Sequence, residues 1–262
     1  MDLPDIFTPK FLNEAATPVA REIGTGLGDL VYLVFSPIHK ARMKREFDLT
    51  AFMETLKANV EAIPEGKLVE PPLHIVGPAL EASKYYYEEK DLRDMFAKLI
   101  ASSMNSDTQE IVRSPFVEII KQMSPFDAIV LKELYHKIRE IGVGRVRYNF
   151  HDETGGFTVY DYLFPLSCLT LKSQGLVASS VSNIIRLGLI SINEGSQYVD
   201  ETLYDYITEH EVFKNFQNNR EYDKPGNYKL YGMTWKFTPL GLEFAQCCLS
   251  NVEDITIEMK SE

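Results

Sequence analysis

The chain has 262 residues, 45% of them hydrophobic and 25% charged, with a formal net charge of −11. That size and balance belong to a folded protein of one large or two ordinary domains, and they exclude a disordered or disulfide-stapled chain. The acidity is spread almost evenly over the two halves, so neither carries the basic surface with which a protein grips phosphates.

The first predicted element starts at Thr17-Pro18, a hydroxyl able to cap free N–H groups followed by a proline suited to the first helical turn. Val19, Ile23, Leu27, Leu30, Val34 and Ile38 then recur at helical spacing. They predict one long helix, kinked or interrupted at Pro37. Gly24, Gly26 and Gly28 each weaken it by up to about 1 kcal/mol relative to alanine. Close packing, in the core or against a second copy, is therefore expected to hold it. The basic run His39–Arg45 offers another use, a membrane-surface helix over residues 18–45. A second helix is predicted over residues 49–62, with Phe52, Leu56 and Val60 on one side and Pro64 as its stop.

In "EPPLHIVGPALEASKYYYEE" a proline inside a helix would cost about 3 kcal/mol, so Pro78 is expected to open a new helix rather than interrupt one. Tyr85, Tyr86 and Tyr87 follow, and three adjacent helical residues point different ways and cannot form one flat platform. Leu92, Met95, Phe96, Leu99, Ile100 and Met104 mark the next helix, which should form a hairpin with the preceding one along a shared apolar seam. Ser114-Pro115-Phe116 and Ser124-Pro125-Phe126 repeat a cap, a first-turn proline and an apolar anchor, predicting two further helices.

Beyond Gly142 the texture changes. Val146, Tyr148 and Phe150 alternate before an Asp-Glu-Thr-Gly-Gly turn and a second alternating run, which predicts a strand pair. A helix ending near Gly188 leads into an apolar strand, then comes an insertion with a helix around residues 201–216. Two short strands around Gly232 and a helix from Thr238-Pro239 complete the chain. This is the order of a winged helix-turn-helix, with residues 179–187 in the recognition-helix position and residues 228–237 as the wing. The expected fold is mainly α (α+β): an N-terminal multi-helix domain over residues 1–123, then a winged-helix-like domain with short antiparallel strands over residues 124–262.

Catalytic chemistry finds no foothold. His39, His74, His136, His151 and His210 lie far apart, and none has the spacing of a metal ligand pair. The three alternating glycines lack the strand and the Gly-Lys-Ser/Thr of a phosphate loop. Cys168, Cys247 and Cys248 show no histidine partner and no C-x-x-C, which fits a reducing compartment. The expectation is a cytoplasmic protein, not an enzyme, with no cofactor, no metal, no export signal and no transmembrane helix. The residues left as candidate interaction sites are Gly24, Gly26, Gly28, Tyr85, Tyr86, Tyr87, Ser179, Ser182, Asn183 and Arg186. The last four could reach base edges, but one arginine neutralises little phosphate and the charge balance argues against nucleic acid.

The stretch "EPPLHIVGPALEASKYYYEEKDLRDMFAKLIASSMN", flanked by "ATPVAREIGTGLGDLVYLVF" and "SPFVEIIKQMSPFDAIVLKEL", resembles the central motif of the Abi-alpha (abortive infection alpha) family, a bacterial domain of unknown function. The likeness covers about residues 15–140 and is faint beyond. What it implies is phage defence, in which an infected cell stops growing or dies before virus is released, and it carries over no catalytic residues. The expected partners are host or phage proteins and further copies of this chain.

Overall fold

The computed structural model describes residues 18–39, 44–138, 141–218, 222 and 225–250. Thr17 and part of the basic run lie outside the described residues. Helix α1, Pro18–His39, begins at the proline and runs through Pro37. Helix α2, Lys44–Glu61, starts five residues before the predicted position and ends ahead of Pro64. Over residues 22–35 of α1, Leu27, Val31 and Phe35 are buried, together with Gly24 and Gly28. The buried stripe is thus rotated from the predicted one, and Ile23, Leu30 and Val34 stay partly exposed. Phe35 meets Phe52 of α2 with ring centroids 5.8 Å apart.

Helix α3, Leu73–Ser83, contains Pro78 in its interior, where a new helix had been expected to begin. Proline deletes one backbone bond, the one to His74, and both residues lie on the exposed side. Ile75, Val76, Ala79 and Leu80 are buried on the other side, and their packing outweighs that loss. Helix α4, Lys90–Ser103, buries Leu92, Met95, Phe96, Leu99 and Ile100. It packs against α2 and α3, and helix α5, Pro115–Lys121, closes the same core. Ser114 makes no side-chain cap, so proline alone marks that start.

The chain divides into two compact units, residues 1–125 with 243–262, and residues 126–242. In the first unit Phe244 stacks edge-on against Phe116 at 5.4 Å. Lys98 and Ser102 of α4 donate to the carbonyls of Leu249 (2.6 Å) and Cys247 (3.0 Å), covering acceptors that a helix C-terminus leaves unpaired.

The second unit contains most of helix α6, Pro125–His136, then strand β1, Val143–Phe150, and strand β2, Gly156–Leu163. Helix α7, Gln174–Arg186, strand β3, Ile190–Asn193, short helices α8, Asp205–Glu209, and α9, Glu211–Asn218, and strand β4, Gly226–Phe237, follow. Helix α10, Pro239–Cys248, begins here, where Thr238 Oγ1 accepts from the Gly241 amide at 2.9 Å. The strands form one antiparallel sheet in the order β2-β1-β4-β3.

Gly232 is not a turn, contrary to the expected pair of short strands: β4 is continuous and changes partner there, from β1 to β3. A Cβ at Gly232 would come within 2.8 Å of the Tyr204 ring, and one at Gly142 within 2.5 Å. Both glycines therefore make room for Tyr204, whose hydroxyl donates to the Met233 carbonyl at 3.1 Å.

Two substitutions test this packing by urea unfolding. Phe96→Ala should cost about 3–5 kcal/mol, because Phe96 is fully buried, while Tyr85→Ala, 78% exposed, should stay within about 0.5 kcal/mol of the parent. Gly241→Ala should also destabilise, by about 1–3 kcal/mol or more, since its Cβ would meet the Leu189 carbonyl oxygen at 1.8 Å.

Candidate functional site

Helix α7 is amphipathic. Val177, Ser180, Val181 and Ile184 are buried, and the helix packs on β2 and β3. The opposite stripe is Leu176, Ser179, Ser182 and Arg186, all exposed, with Leu176 59% accessible. Ser179 Oγ donates to the Gly175 carbonyl and Ser182 Oγ to that of Ala178, both at 2.9 Å. Asn183 Nδ2 donates to Asp127 of α6 at 2.9 Å, and Asn183 Oδ1 accepts from Arg186 Nε at the same distance. The four polar residues singled out on this helix therefore share one side, and each has a donor engaged within the protein.

The tyrosines separate. Helix α3 ends at Ser83, so they lie in a turn and not in the predicted helix. Tyr85 projects outward, Tyr86 donates to the Lys121 carbonyl at 3.0 Å and packs on Phe96, and Tyr87 is buried. The glycines separate as well: Gly24 and Gly28 face the core, while Gly26 has open space above it. Gly26 lies in a groove of about 530 Å³ with Ile23, Leu30, Val69, Leu73 and the carboxylates of Glu22 and Glu70.

A further cluster escaped sequence reasoning. Arg145, Arg147 and Asn149 alternate along β1 with the buried Val146 and Tyr148, and with Phe150, Glu153, Glu194 and Tyr231 they line a recess of about 510 Å³. Arg145 pairs with Asp161 and with Glu194, the latter at 2.9 Å. These hydrogen bonds hold the Glu194 carboxyl below its ordinary range. An irregular register between β1 and β2 and a positive φ of 58° at Tyr162 accompany this network, as expected where a bulge re-aims side chains. Its signal in the sequence is "RVRYNF", where a polar alternation runs beside the apolar one.

The surroundings of the three thiols disfavour the thiolate. Burial pushes Cys168 up to about 11, with Glu133 adding to the effect, and pushes Cys247 up to about 12. Cys248 is raised still more firmly by complete burial. Burial also lowers His210 below its ordinary value. Among the described residues no group of three His, Cys, Asp or Glu side chains could hold a metal ion, and no helix is long and apolar enough to cross a membrane.

The family model for "Abortive infection alpha" matches residues 44–248, which is most of the chain, the whole of the second unit and the larger part of the first. The protein belongs to the abortive infection alpha family. Membership points to an abortive-infection, phage-defence role. The match begins at the start of α2, so the three glycines of α1 lie outside it, and it reaches well past residue 140 into the half where the sequence likeness had been faint. Comparison with curated proteins and with solved structures finds no match.

At pH 8 a thiol-specific disulfide reagent should label native protein slowly, because raised pKa values leave little thiolate. All three cysteines should react at once in denaturant. The sign for stability follows: these folded-state values lie above the unfolded one, so their contribution is present below the ordinary thiol range and is lost as pH rises through about 11 to 12.

Proposed function

We propose that this chain is a non-enzymatic phage-defence protein of the cytoplasm that acts through protein contacts, as a homo-oligomer, and that its second unit is a winged-helix-like module turned to protein recognition. The order α6, β1, α7, β3, β4, with β4 paired between β1 and β3, supports the winged-helix-like reading. Strand β2 and the helices over residues 201–218 are additions to that plan.

The observation that carries protein recognition over DNA is the outward stripe of α7. An exposed leucine leads it, its serine hydroxyls donate to their own helix, and its one arginine is bonded to an asparagine that is itself bonded to an aspartate. Duplex binding needs unspent donors and several cations, whereas a protein partner gains from covering Leu176.

The test uses Leu176→Lys and Arg186→Glu, surface changes that should leave folding within about 0.5 kcal/mol of the parent. Leu176→Lys should abolish capture of a partner from infected cells or dissociate the oligomer, as read by light scattering, and neither parent nor Arg186→Glu should shift duplex DNA at low salt. A monomeric parent without a partner rejects the reading. So does a salt-dependent DNA shift that Arg186→Glu removes.

A further inference from the structure

We propose that the recess on β1 binds a small ligand through an oxyanion, a phosphate or carboxylate group, held by Arg147 with Lys229 beside it. The site stands apart from the outward face of α7 and does not depend on the function proposed for that face.

Three observations converge. The first is an underused guanidinium. Arg147 lines the recess, its Nε is enclosed without a hydrogen-bond partner, and its Nη2 reaches only the Gly156 carbonyl at 3.3 Å, a long bond for five available donors. Its neighbour Arg145 shows the contrast, since Asp161 and Glu194 saturate it.

The second is a like-charge pair. Arg147 lies directly opposite Lys229 in the β1–β4 register, and two cations facing each other across strands destabilise a sheet unless an anion lies between them. Among the described residues neither has a carboxylate within ion-pair distance, and the Lys229 ammonium rests 5.3 Å from the Tyr231 ring centroid. In a chain of net charge −11 such a pair is not explained by a general excess of cations.

The third is the space available. A recess of about 510 Å³ falls within the size of small-molecule sites. Asn149, held by its Nδ2 bond to the Tyr231 hydroxyl at 2.9 Å, supplies orienting polar groups. A planar fork matches phosphate and carboxylate geometry, and Lys229 adds a point charge on the same face of the sheet. Glu153, at the turn with φ of 59°, is the acidic residue of the recess that no cation among the described residues neutralises, and it opposes an anion. Glu194 is already consumed by Arg145.

The experiment is thermal unfolding of the full chain at low salt with inorganic pyrophosphate in one arm and citrate in the other. A ligand bound only to the native state raises Tm, and saturation should give at least about 2 °C. The rise should vanish in Arg147→Gln, shrink in Lys229→Gln, grow in Glu153→Gln and persist in the remote control Lys57→Gln. If Arg147→Gln does not fold, Arg147→Lys and Lys229→Gln serve, each weakening binding about tenfold or more by calorimetry. A rise in the pyrophosphate arm alone assigns phosphate, and one in the citrate arm alone assigns carboxylate. No rise in either arm, or a rise unchanged by Arg147→Gln and Lys229→Gln, overturns the proposal.

Discussion

The functional account depends on how one helix is seated. Val177, Val181 and Ile184 of α7 are fully buried, and helical geometry then leaves Leu176, Ser179, Ser182 and Arg186 facing outward. Rotation by a single residue, to bury Leu176, Ser179, Ser180 and Asn183 instead, would expose the valines and hide the leucine. The seat is held from both ends, by the α7 contacts with β2 and β3 and by Gly188, whose φ of 75° lets the chain leave the helix and enter β3 within three residues. The Asn183–Asp127 hydrogen bond then ties α7 to α6.

That seating decides what the surface can recognise. Ser, Asn and Arg are ordinary DNA-reading residues, and their presence in a helix at this place in the order invites that interpretation. Yet the hydroxyls donate to carbonyls four residues back, and Asn183 and Arg186 form a chain that ends on a carboxylate. An exposed leucine beside donors already engaged is a surface whose gain on binding comes from excluding water. The second unit concentrates cations elsewhere, on β1 and β4, where Arg145 is satisfied internally and Arg147 and Lys229 are not. The two proposed sites, of different chemistry, thus belong to one small sheet and its helix.

Periodicity made most of the architecture legible. The starts at Pro18, Pro115, Pro125 and Pro239, the β1–β2 hairpin and the core residues of α2 and α4 all follow from prolines and apolar spacing. The errors have local causes. Pro78 was read by its intrinsic cost, but its lost bond lies on the exposed side while four buried neighbours hold the helix. Gly232 was read as a turn because glycine usually marks one, whereas its role is to admit the Tyr204 ring from 28 residues earlier in the chain. The α1 stripe was misplaced because glycines count as polar gaps in a hydrophobic pattern although Gly24 and Gly28 are buried. The recess could not be seen as a unit, since Arg147, Glu194 and Tyr231 come from separate segments joined only by strand pairing.

The most direct measurement places a photo-crosslinking amino acid at position 176 or 179 of the full chain, in cells challenged with phage. The account predicts a discrete covalent product with a protein, either another copy of this chain or a partner, that is absent when the crosslinker sits at position 57 on α2. Crosslinks to DNA at positions 176 and 179, or no product specific to those positions, would contradict it.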